Sequence, residues 1–174
     1  MVKESNQNKV LEELFKRPTH NFHIRELARD TKLNPNTVIT IIKSLEEENI
    51  IKKEAKRHIV EISLNLENSD TLWKKRLFNF LKIYSSGIID FLVKKYSPQS
   101  ISLIGSYSRG EDIEKSDIDF VIISDKKENY DLRKFEKILG RSIHLVILSN
   151  KMSDEFFNNL INGVVFYGYL KKEK

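Results

Sequence analysis

Gly105 and Ser106 are separated by ten intervening residues from the pair Asp117 and Asp119, and those residue types at that spacing could carry chemistry. A glycine after a strand lets backbone approach a ligand closely. Ser106, opening a short helix, offers a hydroxyl and unpaired N–H groups to a phosphate. Aspartates two apart on a strand turn both carboxylates to one face, while Ile118 points to the other. Such a pair binds a divalent metal, which bridges to phosphates and neutralises charge during phosphoryl or nucleotidyl transfer. A divalent cation is therefore the expected cofactor. The bland alternative is that Asp117 only caps or solvates the strand entry.

Strands and helices must alternate around this motif to hold it. The pattern predicts strands Ser100–Ile104, Ile118–Ile123 and Ser142–Leu148, helices Asp131–Leu139 and Ser153–Asn162, and a terminal apolar piece Val164–Leu170. That is a mixed α/β domain spanning 98–174. Ahead of it, 67–97 reads as two linking helices, bent near Ser85-Ser86-Gly87 and possible members of the same domain. Trp73, Leu77, Phe80, Leu81 and Tyr84 are expected there as core or interdomain contacts. The polar string at 65–70 reads as a linker.

Residues 1–66 read as three helices and a hairpin. Val10, Leu11, Leu14 and Phe15 recur at helical spacing before Pro18. A short helix follows from His23 to Asp30. Asn34-Pro35 opens a third, with asparagine as N-cap and proline in the first helical position. Val38, Ile41, Ile42 and Leu45 give its buried stripe, and Asn49 stands just past its end. Two β-prone runs, 50–54 and 58–64, are joined by Ala55-Lys56-Arg57. This order resembles winged-helix transcription regulators. The resemblance implies a third helix entering the major groove and a wing touching flanking phosphate. Asn34, Asn36, Thr37 and Thr40 would face base edges, while Lys43, Lys52, Lys53, Lys56 and Arg57 would meet the DNA backbone. The alternative is a protein-binding winged helix whose polar face is solvated.

The stretch GSYSRGEDIEKSDIDFVII, from Gly105 to Ile123, resembles the small minimal nucleotidyltransferases of the DNA polymerase beta type. The resemblance implies that Gly105 and Ser106 bind the triphosphate of ATP or another NTP. Arg109 joins them as a phosphate neighbour or structural residue, and Asp117 and Asp119 hold Mg2+ (or Mn2+). The family usually places a third carboxylate on the next strand, completing the metal site and able to act as general base. Here that position is His144, counted with Asp117 and Asp119 as catalytic. Asp125 cannot substitute, because six residues along a strand span about 20 Å. Histidine accepts a proton near neutral pH but is a poor ligand for Mg2+, so the site is weakened or retuned.

The expected fold class is α+β: a winged helix-turn-helix, then a small mixed α/β nucleotidyltransferase fold. The expected activity moves AMP from ATP to a hydroxyl of a protein or small molecule. A transcriptional regulator that binds nucleotide without efficient turnover is the other reading. Expected partners are DNA, a protein acceptor such as a HEPN-type toxin, and a second copy of the chain. The absence of cysteine excludes disulfides, thiol nucleophiles and thiolate zinc sites. No apolar run is long enough to span a membrane, and the N-terminus lacks a signal peptide's apolar stretch, so a cytoplasmic location is expected. The net charge of +5 divides as +2 for residues 1–66 and +3 for 67–174, so neither part is strongly cationic.

Overall fold

A computed structural model describes residues 5–56, 59–148 and 153–171. The chain divides into two compact units, Met1–Lys75 and Arg76–Lys174.

The first unit opens with α1 (Asn6–Lys16), α2 (Ile24–Thr31) and α3 (Pro35–Glu47), followed by the antiparallel hairpin β1 (Ile51–Lys56) and β2 (Ile59–Leu64). Local chemistry sets the helix starts. Ser5 Oγ accepts from Asn8 N, and Asn34 Oδ1 accepts from Asn36 N at 2.9 Å ahead of Pro35. Val10, Leu14, Leu27, Val38, Ile42, Leu45, Ile50 and Ile62 are fully buried or nearly so. Each contributes roughly 1.5–3 kcal/mol relative to exposure. Phe22 extends the hairpin by a two-way backbone bridge to Ile62, with both N–H···O distances 2.8 Å.

The hairpin departs from expectation at its tip. Ala55 and Lys56, read as turn residues, belong to β1, where they pair with Val60 and Ile59. The string at 65–70, read as a linker, is tied to the first unit. Asn65 Nδ2 donates to Asn49 O and Oδ1 at 3.1 and 3.0 Å, Asn68 Nδ2 donates to Asn49 O, and Asn65 N donates to Ile50 O. Polar composition there serves the αL residue that ends α3 rather than solvent.

Then come α4 (Ser69–Ser86) and α5 (Ile88–Tyr96), separated by Gly87 in the left-handed region. Trp73, Leu77, Leu81 and Tyr84, expected as core or interdomain contacts, are exposed, whereas Phe80 is partly buried. Within the second unit, α4 turns a different face inward, with Asn79 and Ile83 buried. A polar side chain takes part of the buried stripe, so apolar spacing alone selected the wrong face.

The second unit is built on a four-stranded sheet in the order β5-β4-β3-β6. Its strands are β3 (Ser100–Ile104), β4 (Ile118–Ile123), β5 (Ile143–Leu148) and β6 (Val164–Gly168), and its further helices are α6 (Gly105–Arg109), α7 (Arg133–Leu139) and α8 (Asp154–Ile161). β3 pairs antiparallel with β4 and β6, while β4 and β5 run parallel across α7. The terminal apolar piece is thus a sheet strand. Ile118, Phe120 and Ile122 pack with Ile83, Ile88, Leu92 and Tyr96. Val121 and Ile123 pack on the other face against Leu160 of α8. Among the described residues, no helix is long and apolar enough to cross a membrane.

Candidate active site

Two-residue periodicity along β4 puts Asp119 on the face of Val121 and Ile123. Asp117 lies one residue before the strand and is exposed; Asp119 is the strand's one half-buried residue. Parallel pairing sets Asp119 directly beside His144, and the two side chains meet, Nδ1 to Oδ1, at 3.1 Å. The His144 side chain is 65% exposed and that of Asp119 32%.

Gly105 approaches Asp119 from β3. It has φ +73, which turns the strand into α6, and a Cβ there would come 2.6 Å from Asp119 Oδ2. Glycine is therefore required both by the backbone and by its neighbour. Ser106 follows in the first turn of α6, where helical N–H groups have no carbonyl partner within the helix. The structure thus brings Gly105, Asp119 and His144 together, with Ser106 and Asp117 adjoining in sequence. Arg109 stands at the far end of α6, exposed and ion-paired with Glu111 at 2.7 Å.

What holds the segment between Gly105 and Asp117 was not visible in the sequence. Asp112 is buried and accepts from Asn79 Nδ2 at 2.7 Å, while the same amide donates to Tyr107 O at 3.0 Å. Arg141, only 10% exposed, lies 3.6 Å from the other oxygen of Asp112. A charged pair at such burial is favourable only when hydrogen bonds complete it, and Asn79 supplies one. Burial, reinforced by the negative charge of Asp112 and opposed by Arg141, pushes the Tyr107 phenol well above its ordinary range. Ser108 Oγ donates to Gly105 O at 2.8 Å, and Ser116 Oγ accepts from Ile113 N. Behind Asp117, a cleft of about 290 Å³ is lined by residues 114–117, Glu136 and residues 140–142. Among the described residues, no three His, Asp or Glu side chains are placed to hold a metal ion by themselves.

On the winged-helix unit, Asn36, Thr40 and Lys43 are exposed on α3 and Thr37 is half-buried. Asn34 is exposed too, but its side chain is engaged in capping, and Thr40 Oγ1 donates to Asn36 O at 3.1 Å. Ile39, not singled out by the sequence, is exposed between them. Lys53 is ion-paired with Glu46 of α3, and Lys52 with Glu67 at 2.5 Å. Arg57 and the Lys56 side chain lie outside the described residues.

These two sites match known families. Residues 85–168 match the model of the nucleotidyltransferase domain, and residues 4–52 match that of the winged helix-turn-helix DNA-binding domain. The chain is 41% identical over 63 residues to a Methanocaldococcus jannaschii protein provisionally named a protein adenylyltransferase. That alignment covers 32% of this chain and 62% of the relative, less than two thirds of its length. With Gly105 seated against Asp119 inside one match and a capped α3 inside the other, the chain joins a winged helix-turn-helix DNA-binding domain to a nucleotidyltransferase domain.

Proposed function

We propose that the second unit transfers a nucleoside monophosphate, AMP from ATP, to a hydroxyl, with release of pyrophosphate. The observation that carries this reading is the seat of Gly105 against the Asp119 carboxylate, which sets a phosphate-binding turn beside a cation ligand. In this reading the Gly105 and Ser106 backbone and the Ser106 hydroxyl hold the triphosphate. Asp117 and Asp119 hold a divalent cation. Two carboxylates fit a hard dication, and among the described residues no three such side chains are placed to hold one by themselves, which leaves room in its shell for phosphate oxygens. Bound there, the cation neutralises phosphate charge as the acceptor oxygen attacks. Arg109, held by Glu111, adds a neighbouring cationic group. The relative's name supports a protein as acceptor.

The winged helix is read as the DNA-binding part, with Asn36, Thr37 and Thr40 toward base edges and Lys43 toward phosphate. Asn34 contributes by fixing the helix start, and Ile39 offers an apolar contact to a thymine methyl. His144 in place of a carboxylate favours the second reading, a regulator that binds nucleotide without efficient turnover.

Incubating the protein with labelled ATP, Mg2+ or Mn2+ and a cell lysate separates the two. Label on an acceptor supports transfer, and ATP binding without label supports the regulator. In calorimetry, ATP is expected to bind only with the cation, and Asp117→Asn with Asp119→Asn is expected to abolish it. Equal binding by wild type and double variant would overturn the site.

A further inference from the structure

We infer that His144 is a direct ligand of the bound cation and turns the site from Mg2+ toward first-row transition dications such as Mn2+ or Co2+. The inference rests on the nucleotide and cation site proposed above. It adds the identity of the ion and a residue that selects it.

The geometry comes from strand pairing. Parallel register puts Asp119 and His144 side by side on β4 and β5, with Oδ1 and Nδ1 3.1 Å apart. Neighbouring ligands of an octahedral ion with bonds of about 2.1 Å stand about 3 Å apart. An ion seated on Asp119 Oδ1 would therefore have the imidazole within ligand reach, in place of the hydrogen bond the two side chains otherwise share. Asp119 Oδ2 faces Gly105, where a Cβ would come 2.6 Å from it.

Donor chemistry then decides which ion gains. Mg2+ demands hard oxygen ligands and binds imidazole poorly, whereas Mn2+, Co2+ and their neighbours accept oxygen and imidazole together. An oxygen-only site at this position would need a carboxylate where His144 stands. Among the described residues no three such side chains are placed to hold an ion by themselves, so selection by Asp119 and His144 is expressed only when nucleotide supplies further oxygens.

Pulsed EPR of the full chain loaded with Mn2+ and a non-hydrolysable ATP analogue reads the ligand directly, because a bound imidazole nitrogen couples to the electron spin. We expect that coupling in the wild type and its loss in His144→Ala. In titrations with the same analogue, His144→Ala should weaken Mn2+ about tenfold or more and Mg2+ less than about threefold. His144→Asp should shift preference back toward Mg2+. The side chain is largely exposed on an edge strand, so both variants should keep the wild-type circular dichroism. Absence of nitrogen coupling in the wild type, or equal loss of both ions in His144→Ala, overturns the inference and leaves the proposed site standing. Absence of cation-dependent nucleotide binding in the wild type overturns that site as well. The wild-type spectrum decides the ligand even if a variant misfolds.

Discussion

Gly105 holds φ +73, and a Cβ there would reach the end of the Asp119 side chain, so a substitution would push the carboxylate aside rather than break the fold. Gly140 has φ +68 but opens onto empty space. The two glycines thus separate backbone strain from site geometry. Gly105→Ala and Gly140→Ala should each cost roughly 1–2 kcal/mol of stability for left-handed backbone, measured by denaturant unfolding. Only Gly105→Ala should also weaken cation-dependent ATP binding, by more than about tenfold. At this scale the sequence singled out Gly105, Ser106, Asp117 and Asp119 by type and spacing and His144 through the family resemblance, and the structure brings Gly105, Asp119 and His144 together. Asp112, Asn79 and Arg141 were not singled out, because nothing in their sequence distance announces a buried polar cluster.

Among the elements, α1 and α2 are joined by a charged hub. Arg17 reaches Glu26 at 2.9 Å and Asp30 at 2.6 Å, and its guanidinium lies 4.5 Å from the Phe22 ring centre. Burial acts to raise the Glu26 and Asp30 carboxyl pKa values. Hydrogen bonds from His20 and Arg17 to Glu26, and from Arg17 and Arg29 to Asp30, outweigh it and leave both lowered. A carboxyl lowered in the folded state stabilises above its unfolded pKa, and that stability is lost as pH falls through the folded value. As pH falls from neutral into and below the ordinary carboxyl range, the wild type should therefore lose stability through this hub. Arg17→Ala should be weaker by about 1 kcal/mol at neutral pH, a modest figure because the arginine is partly solvated. It should also lose less on acidification, as read from urea midpoints across that range. The helices themselves were legible, since caps such as Asn34-Pro35 act within one turn. The inward face of α4 was not, because burial depends on what packs against it.

Across the whole molecule, the charge of +5 is spread thinly and partly consumed. Lys52 and Lys53, two of five cations expected to meet DNA phosphate, are engaged by Glu67 and Glu46. Few counterions should then be released on DNA binding, giving a slope of log K against log salt of about −3. Fluorescence anisotropy with a genomic fragment pool at several salt concentrations checks this, and a slope near −5 would show that both ion pairs break on the duplex. The sequence by itself determined the two domain types and the spacing of the Gly-Ser to Asp-x-Asp motif, because helix caps, alternation and short-range spacing are written in neighbouring residues. The tertiary structure alone decided that Gly105 backs onto Asp119 and that His144 touches it across 25 residues. It also buried Asp112 beneath the motif and anchored residues 65–70 on Asn49. Those outcomes follow from strand register and packing, in which residues distant along the chain are placed side by side by burial of the sheet between helices.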